Sequence, residues 1–328
     1  MKIVFYNETL LSGGIETCIK TLTDYLSQMH EIEIVYIDEK KLDTNIVSIL
    51  SQNAYVHKLD PDEVIEADVC IYCRLYMDYD YLKKHINAKK KFLWVHSKPY
   101  ALDNCILDNK EFLDDIDNII CVSNTIQSLL NVDKESIVIH NFLPSNIKEL
   151  ADEEISENVF NNDDKLKLVT VARLSTGKGF ERIYDFIKNL KNNNIDFEYL
   201  IVGKGRAKEQ EYRDLLGGFD EVNFIGYKDN PYPYIKKADF LVLLSDFESF
   251  STVVTEAKLL GTPVITTNYQ SAYEQIENDY NGIIVDLNDT DYTKYLPLLN
   301  NLPRYREALS NFKVEAEKSE WDKLLNGK

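Results

Sequence analysis

The sequence predicts an α/β protein built from two doubly wound domains. Short apolar, β-branched runs alternate with helix-like segments, which is typical of parallel sheets covered by helices on both faces. There are twelve such runs, too many for one compact sheet, and 328 residues are enough for two domains. A polar, acidic stretch at 144–165 shows no strand pattern and separates the runs into two groups.

The first domain is expected over residues 1–150. Six apolar runs indicate its strands: Ile3–Tyr6, Glu33–Ile37, Val69–Tyr72, Phe92–Val95, Ile119–Val122 and Ile137–His140. Helical periodicity predicts helices at Glu16–Met29 and Thr125–Leu130. The alternation of strand and helix is that of a Rossmann-like domain.

The second domain is expected over residues 151–302. Its predicted strands are Leu168–Ala172, Tyr199–Val202, Val222–Ile225, Phe240–Leu244, Pro263–Thr266 and Gly282–Val285. Its predicted helices are Phe180–Asn189, Glu209–Leu216 and Thr252–Leu260. The strand pattern then stops, but residues 303–328 form an amphipathic tail with Trp321 among its apolar points. Such a helix needs an apolar surface to cover, and we expect it to pack back on the first domain.

Composition excludes several classes of protein. The net charge is −18 and is shared equally by residues 1–150 and 151–328, so neither half offers the basic surface that nucleic acid binding needs. No apolar run approaches the roughly 20 residues of a membrane span. The apolar start is too short for a signal peptide, so we expect a cytoplasmic chain with five reduced cysteines. Cys70 and Cys73 form a CxxC, which is interpreted as buried strand cysteines rather than a metal site.

Ligands of doubly wound sheets bind at the carboxyl ends of the strands, so residues that follow strands are the candidates for a site. Gly13 and Gly14 follow the first strand and precede a helix, a place where the backbone can approach an anion; the alternative is a flexible turn. His96 follows the strand Phe92–Val95, and on its own it is better explained as a core histidine.

Two cations and a glycine-bearing turn follow the strand Leu168–Ala172. Arg173 and Lys178 supply the fork and the point charge that a diphosphate requires, although two surface cations would give the same pattern. Gly203 begins a Gly-Lys-Gly turn after the next strand. The third glycine of a dinucleotide fingerprint is missing there, so a dehydrogenase is disfavoured.

A pair of carboxylates follows the strand Phe240–Leu244. Glu248 lies in the loop, Ser251 or Thr252 is the expected N-cap, and Glu256 lies about one turn into the helix. A phosphate could rest on the helix N-terminus while the two carboxylates accept hydroxyl hydrogen bonds from sugars. The alternative is a favourable interaction of glutamates with the helix dipole.

Taken together, these motifs resemble the retaining glycosyltransferases of family 4 (group 1), which have a GT-B fold of two Rossmann-like domains facing a central cleft. The resemblance is strongest over 168–286. It rests on the segments Val171–Leu174 with Lys178-Gly179, Leu200–Gly205, Phe224–Tyr227, the Glu248 to Glu256 spacing, Gly261–Val264, Glu274 with Gly282, and, in the first domain, Gly13–Glu16 with His96. Two features depart from the family. Serines at 249 and 251 replace its usual glycines, and the short chain implies a trimmed first domain.

The resemblance implies that the donor is a nucleotide-diphosphate sugar. A UDP-sugar is favoured, and the transferred sugar is expected to be a hexose or an N-acetylhexosamine. Arg173 and Lys178 would neutralise the diphosphate, Glu256 would accept the ribose hydroxyls, and Glu248 would bind the transferred sugar. His96 would face that sugar from the first, acceptor-side domain. Further donor contacts are expected from the loop or backbone of Gly13, Gly14, Gly203, Tyr227, Phe250, Ser251 and Thr252. The resemblance also points to a crossing of the tail back to the first domain.

No metal and no cofactor are expected. Asp78 and Asp80 mimic the metal-binding motif of another glycosyltransferase fold, but they are interpreted as a loop. The expected acceptor is a surface glycan, a teichoic acid, a lipid-linked intermediate or a protein. The alternative function is a non-catalytic subunit that stabilises a partner glycosyltransferase or acceptor protein. The lysine run 83–91 is interpreted as a solvated patch rather than a contact with the inner face of the cell membrane, and the oligomeric state stays open.

Overall fold

A computed structural model describes residues 1–11, 13–98, 105–155, 159–205, 207–314 and 316–327. By its internal contacts the chain divides into two units. The first unit comprises Met1–Phe142 together with Glu315–Lys328, and the second comprises Leu143–Val314.

The strands are β1 Lys2–Asn7, β2 Glu31–Tyr36, β3 Tyr55–Lys58, β4 Ile65–Tyr72, β5 Ile86–Val95, β6 Asn118–Cys121, β7 Ser136–Val138, β8 Leu166–Val171, β9 Phe197–Val202, β10 Val222–Gly226, β11 Phe240–Leu243, β12 Val264–Thr267 and β13 Gly282–Val285. The α-helices are α1 Gly14–Leu26, α2 Thr44–Leu50, α3 Tyr79–His85, α4 Lys110–Asp115, α5 Asn124–Ser128, α6 Ile147–Ala151, α7 Phe180–Asn192, α8 Glu209–Leu216, α9 Tyr232–Lys237, α10 Thr252–Leu259, α11 Ala272–Gln275, α12 Leu302–Leu309 and α13 Ala316–Asn326.

The first unit contains a seven-stranded parallel sheet in the order β3-β2-β1-β4-β5-β6-β7. Its interior strand β1 is apolar and buried, with Ile3 paired to Ile32 on one side and to Val69 on the other. The order reverses between β1 and β4, so the carboxyl ends of these two strands form the switch point where ligands of such sheets bind.

The second unit contains a six-stranded parallel sheet in the order β10-β9-β8-β11-β12-β13. Alternate residues of its strands enter two separate apolar cores: Leu168 of β8 lies in one and Val169 in the other. The first core includes residues of α7, α8 and α12, and the second includes residues of α9, α10 and α11. Helices therefore cover both faces, as in a doubly wound domain.

All twelve predicted strands are present, and the structure adds β3. Its sequence, Tyr-Val-His-Lys, is short and half polar because β3 is the edge strand of its sheet. The loop predicted around Asp78 and Asp80 is wrong: these residues begin helix α3, and Asp78 Oδ1 accepts the backbone N–H of Tyr81 at 3.1 Å. Asp78 is thus a helix cap.

The expected tail is divided between the units. Helix α12 belongs to the second unit, where Tyr305 packs against Phe240 and donates to Asp279 Oδ1 at 2.7 Å. Only α13 belongs to the first unit, where Trp321 is fully buried against Trp94. The sequence was interpreted as one amphipathic segment from residue 303. The structure has two helices there, α12 and α13, each with its own apolar face.

The predicted boundary near residue 150 also differs from the contact grouping. Helix α6 lies in the second unit, where Asn230 donates to the carbonyl of Leu150 at 2.8 Å and Lys236 forms an ion pair with Asp152. The acidic character of this region led the prediction to treat it as a linker, although Ile147 and Ala151 supply a buried apolar side.

Candidate functional site

In the second unit, the segment after β8 lies against the end of β11. Gly179, the N-cap of α7, has a left-handed φ of 72°, and a Cβ atom there would lie 1.7 Å from the carbonyl oxygen of Leu244. Only glycine permits this approach. Lys178 precedes it and is half-buried, whereas Arg173 is exposed. Both predicted cations therefore lie at the carboxyl edge of the sheet.

The structure brings two of the predicted site residues into direct contact. Lys178 Nζ lies 2.7 Å from Glu248 Oε1, and Ser245 Oγ donates to the same oxygen at 2.7 Å. The Glu248 side chain is 14% exposed, so this ion pair is only partly screened by water. From the sequence, Lys178 was expected to bind the diphosphate and Glu248 the transferred sugar. Here they partner each other, and a bound diphosphate would share Lys178 with Glu248.

Arg182 and Asp246 were missed by sequence reasoning. Arg182 Nε donates to the carbonyl of Leu244 at 2.8 Å, and its guanidinium forms an ion pair with Asp246. The backbone N–H of Asp246 in turn donates to Gly177 at 2.9 Å. These bonds hold the Glu248 loop to the loop that carries Lys178. A single arginine inside a helix gives no sequence signal for such a role.

Glu256 lies inside α10 and is 7% exposed. Burial raises the pKa of its carboxyl group to about 7. Tyr232 lies near Glu256. The pKa of its phenol is raised mainly by burial and secondly by the charge of Glu256. Hydrogen-bond donors stabilise the ionised form of a buried carboxyl group. Sugar hydroxyls are such donors, so this environment suits a group that binds them.

The serines that replace the family's glycines need no unusual backbone conformation. Among the described residues, only Asn194 and Asp279 have positive φ without being glycine, and Ser251 has an ordinary φ of −74°. Ser251 is the N-cap of α10, but its side chain makes no capping bond. Its backbone N–H instead donates to Gln275 Oε1 at 3.0 Å. The contact of this amide with a phosphate, expected from the sequence, therefore competes with Gln275; Phe250 and Thr252 beside it are half-buried.

Gly203 and Tyr227 occupy different surroundings. A Cβ atom on Gly203 would lie 1.9 Å from the carbonyl oxygen of Ala172, so close packing of β9 against the end of β8 already requires glycine there. Tyr227 is about half exposed, with Lys204 Nζ above its ring at 4.7 Å. Binding roles for both stay predictions.

In the first unit, Gly13 is the extended N-cap of α1, and Gly14 is its first residue. No described residue would lie within 4 Å of a Cβ atom on Gly14, so packing against that part of the chain does not explain this glycine. Glu16, which is 3% exposed, holds the backbone at Leu11, ahead of these glycines. Glu16 Oε1 accepts the backbone N–H of Leu11 at 3.1 Å and forms an ion pair with Arg74.

Arg74 was not singled out from the sequence. It lies two residues beyond β4, at the same sheet edge as Gly13, and one of its guanidinium nitrogens also reaches the carbonyl of Thr9 at 3.5 Å. Its position in the sequence could have indicated a functional role, because Arg74 is a cation that closely follows a strand at the switch point.

His96 follows β5, and its Nε2 atom is buried with no hydrogen-bond partner among the described residues. Burial, and secondly the charge of Arg74, lowers the pKa of His96 to about 3. The imidazole is therefore neutral at physiological pH. The ring of Trp94 lies 4.2 Å from it, centroid to centroid. A neutral imidazole whose Nε2 has no partner among the described residues can form a hydrogen bond with a hydroxyl, but it cannot supply a positive charge.

The other candidates have structural explanations. In the lysine run, Lys83 pairs with Glu111, Lys89 with Asp68 and Lys91 with Asp115, so much of its charge is balanced. Cys70 and Cys73 are both buried, as interpreted from the sequence. Among the residues with described placement, no helix has the length and apolarity to cross a bilayer.

One group of possible metal ligands was not foreseen: Glu33, His57 and Glu63, at the β2–β3 edge. Both ring nitrogens of His57 already lie near oxygen acceptors, Glu33 Oε1 at 2.7 Å and the Lys58 carbonyl at 3.0 Å. The second oxygen of Glu33 pairs with Lys2 Nζ at 2.7 Å. Hydrogen bonds and ion pairs thus explain this group.

Comparison with known proteins identifies the family. The profile described as Glycosyl transferases group 1 matches residues 151–315, half of the chain. The chain belongs to this family. A Campylobacter jejuni enzyme, N-acetylgalactosamine-N,N'-diacetylbacillosaminyl-diphospho-undecaprenol 4-alpha-N-acetylgalactosaminyltransferase, is 24% identical over 98% of this chain and 96% of its own length.

A second relative and a solved structure extend the comparison. An uncharacterised glycosyltransferase of Methanocaldococcus jannaschii is 28% identical over 64% of this chain, and the match spans only 58% of that relative. The crystal structure of Anabaena HepE in complex with UDP and glucose aligns over 100% of both chains with a TM-score of 0.73 at 18% identity. The likeness confirms the predicted GT-B fold class, with two Rossmann-like domains.

Proposed function

We propose that this group 1 glycosyltransferase moves a hexose or N-acetylhexosamine from a UDP-sugar to a surface glycan, a teichoic acid or a lipid-linked acceptor, with retention of anomeric configuration. The observation that carries the proposal is the contact between Lys178 and Glu248 at the carboxyl edge of the second sheet, with Glu256 on the adjoining helix. A cation for phosphate and two carboxylates for sugar hydroxyls are the groups that a nucleotide sugar requires.

The donor would be held by charge and by hydroxyl contacts. Arg173 and Lys178 balance the diphosphate and stabilise the charge that grows on the leaving group, which is often the largest contribution to catalysis. Glu256 accepts the ribose hydroxyls, and Glu248 accepts a hydroxyl of the transferred sugar. In the first unit, the neutral imidazole of His96 is suited to exchange a hydrogen bond with a sugar hydroxyl. None of these roles uses a metal ion or a cofactor.

For retention, we propose a single step on one face of the sugar, without a covalent intermediate on Glu248. A carboxylate bound by both Lys178 and Ser245 is a poor nucleophile, which disfavours a glycosyl-enzyme intermediate. In the proposed step the acceptor oxygen bonds to the anomeric carbon on the face that the phosphate leaves. The bond from carbon to phosphate oxygen breaks, and the acceptor proton passes to the leaving phosphate. The Campylobacter relative is named as a 4-alpha transferase, and an α product from an α-linked UDP-sugar is a retained one.

Relatives support the acceptor and donor classes. The Campylobacter enzyme acts on a diphospho-undecaprenol-linked sugar, and the HepE structure contains UDP and glucose. A lipid-linked acceptor would place the reaction at a membrane surface. The alternative, a non-catalytic subunit that stabilises a partner, would have no need of Arg173, Lys178, Glu248 and Glu256 at one sheet edge, so the transferase is favoured.

Released UDP tests the proposal. The full chain is incubated with UDP-glucose, UDP-galactose, their N-acetylhexosamine counterparts and GDP-mannose, with and without EDTA. We expect one UDP-sugar to be hydrolysed slowly without added acceptor, at a rate that EDTA leaves unchanged. Glu248→Gln should lower that rate at least about tenfold, the effect of losing one positioned group in the transition state. No release from any donor would contradict the transferase, and loss in EDTA would contradict the metal-free mechanism.

A further inference from the structure

We infer that Gln275 is a positioning residue that holds the Glu248–Ser251 loop and the start of α10 in their working conformation, with Ser271 as its partner. The inference rests on the proposed function, because that loop carries the sugar-binding carboxylate. Neither residue is among the charged groups to which sequence reasoning or the proposed mechanism assigns a role.

The side-chain amide of Gln275 binds both backbone polar groups of one loop residue, Ser251, and we call this pair of hydrogen bonds the bracket. Its Oε1 accepts the backbone N–H of Ser251 at 3.0 Å, and its Nε2 donates to the carbonyl of Ser251 at 2.8 Å. The same Nε2 donates to Thr255 Oγ1, one turn into α10, at 3.0 Å. Both Gln275 and Ser251 are nearly fully buried, at 5% and 6% exposed. Hydrogen bonds in such surroundings are costly to lose, because water cannot replace them.

The other end of the loop is held from the same element. Ser271, the residue before α11, is fully buried, and its Oγ donates to the backbone carbonyl of Glu248 at 2.6 Å. Ser271, the cap of α11, thus contacts Glu248, and Gln275, its last residue, contacts Ser251. This fixes the backbone of the loop, while Lys178 and Ser245 fix the Glu248 carboxylate.

Lys258 ties α11 back to α10. It is 7% exposed, and its ammonium group donates to the carbonyl of Gln275, the last residue of α11. A cation at the carboxyl end of a helix is a favourable interaction. The ring of Phe312 lies 4.3 Å from Nζ and shields the bond from water. Gln275 is therefore held at its backbone by α10 while its side chain holds the start of the same helix.

This arrangement explains how the loop keeps its conformation with serines at the positions where the family has glycines. The loop obtains its shape from buried hydrogen bonds to α11 rather than from the conformational freedom of glycine, since Ser251 has negative φ. The side chain at 275 must supply one acceptor and one donor to Ser251, which an amide does at any pH. A carboxylate at 275 could accept the Ser251 N–H, but it would present a second acceptor to the Ser251 carbonyl unless it were protonated.

Two substitutions at one position test the role. Gln275→Leu removes all three hydrogen bonds, and Gln275→Glu retains only the acceptor at neutral pH. Exposed Gln52, in the first unit, gives the charge-matched control Gln52→Glu. Each protein is assayed by release of UDP from the best UDP-sugar in the donor screen, by calorimetry with UDP, and by amide exchange at Ser251.

We expect Gln275→Leu to lower kcat about tenfold while the Kd for UDP changes less than about threefold, because the loop aligns the sugar rather than the base. Gln275→Glu should lose activity at pH 8 and recover toward wild type at pH 6, where a protonated carboxyl can donate to the Ser251 carbonyl. Ser251 amide exchange should be about tenfold faster in Gln275→Leu than in wild type. Gln52→Glu should match wild type in all three measurements.

The inference is overturned if both Gln275 variants keep wild-type kcat, or if Gln275→Glu shows the same pH profile as wild type. If Gln275→Leu does not fold, the pH profile of Gln275→Glu decides. Failure of the proposed function looks different: wild-type protein would then release no UDP from any donor. In that case protection of the Ser251 amide still tests the bracket, and fast exchange in wild type would show that it does not form.

Discussion

Glu256 carries a buried carboxyl group whose ionisation should be coupled to donor binding. Its pKa is raised to about 7 by burial, so it is largely protonated at pH 6 and largely ionised at pH 8. Ribose hydroxyls donate to the ionised form and favour it. We therefore expect the affinity for the selected UDP-sugar to rise about tenfold between pH 6 and pH 8 and then to level off. Calorimetry across this range measures it, and a UDP-sugar is used because its diphosphate does not titrate there.

Glu256→Gln supplies the control, because it removes the titrating group and retains a hydrogen-bond acceptor. Its affinity should be flat between pH 6 and pH 8. An equally steep rise in this variant would assign the pH dependence to another group and would remove Glu256 from the ribose site.

The same carboxyl group should weaken the fold at high pH. A folded-state pKa above the unfolded value means that its stabilising contribution is present below about pH 4.5 and is lost as pH rises through 7. Glu256→Gln should therefore have a higher free energy of unfolding than wild type at pH 8, by up to about 3 kcal/mol, with a smaller gain at pH 5. Urea unfolding at both pH values measures it, and a gain that is larger at pH 5 would contradict the assignment.

At the scale of single elements, the start of α1 contains one buried ion pair that also holds the backbone at Leu11. Glu16 is 3% exposed and is paired with Arg74, so Arg74→Gln leaves a buried carboxylate without its cation. We expect a loss of about 3 kcal/mol in the free energy of unfolding of the first unit. In the double variant with Glu16→Gln, the loss should be smaller than in Arg74→Gln alone, because no charge is left unpaired.

An exposed pair on the same unit gives the matched comparison. Lys83 and Glu111 have side chains 40% and 64% exposed, so water screens their ion pair and Lys83→Gln should cost far less than Arg74→Gln. Equal costs for Arg74→Gln and Lys83→Gln would mean that the Glu16–Arg74 pair does not stabilise this part of the first unit.

The strands of this fold were largely predictable because each is a local apolar run, whereas short helices such as α3 were not predicted. The edge strand β3 was missed because half of its residues are polar. The contacts within the site could not be predicted in the same way. Lys178 and Glu248 are 70 positions apart, and Gln275 and Ser251 are 24 apart, so their pairing depends on how β8, β11 and α11 meet. Sequence spacing predicted which sheet edge would carry the charges, but it did not predict which side chains would partner each other.

At the scale of the whole molecule, the chain order and the folding units do not coincide. The second unit is continuous, whereas the first is completed by α13 from the far end of the chain. Trp321 is fully buried against Trp94, Tyr25 donates to Asp322 Oδ2 at 2.6 Å, and Lys90 Nζ donates to the carbonyl of Leu325 at 3.2 Å. Because Trp94 also lies against His96, α13 supports the strand end that carries this site residue.

Deleting residues 315–328 should therefore destabilise the first unit and leave the second intact. Removing a buried tryptophan alone typically costs about 3–5 kcal/mol, enough to expose β5 to exchange at moderate temperature. Hydrogen exchange on the truncated chain should rise across Ile86–Val95 and remain unchanged across Leu166–Val171. UDP should still protect the second unit, since Arg173, Lys178 and Glu256 lie there. Trp321→Ala in the full chain should reproduce the pattern in milder form. Faster exchange confined to the second unit would mean that α13 contributes its packing there.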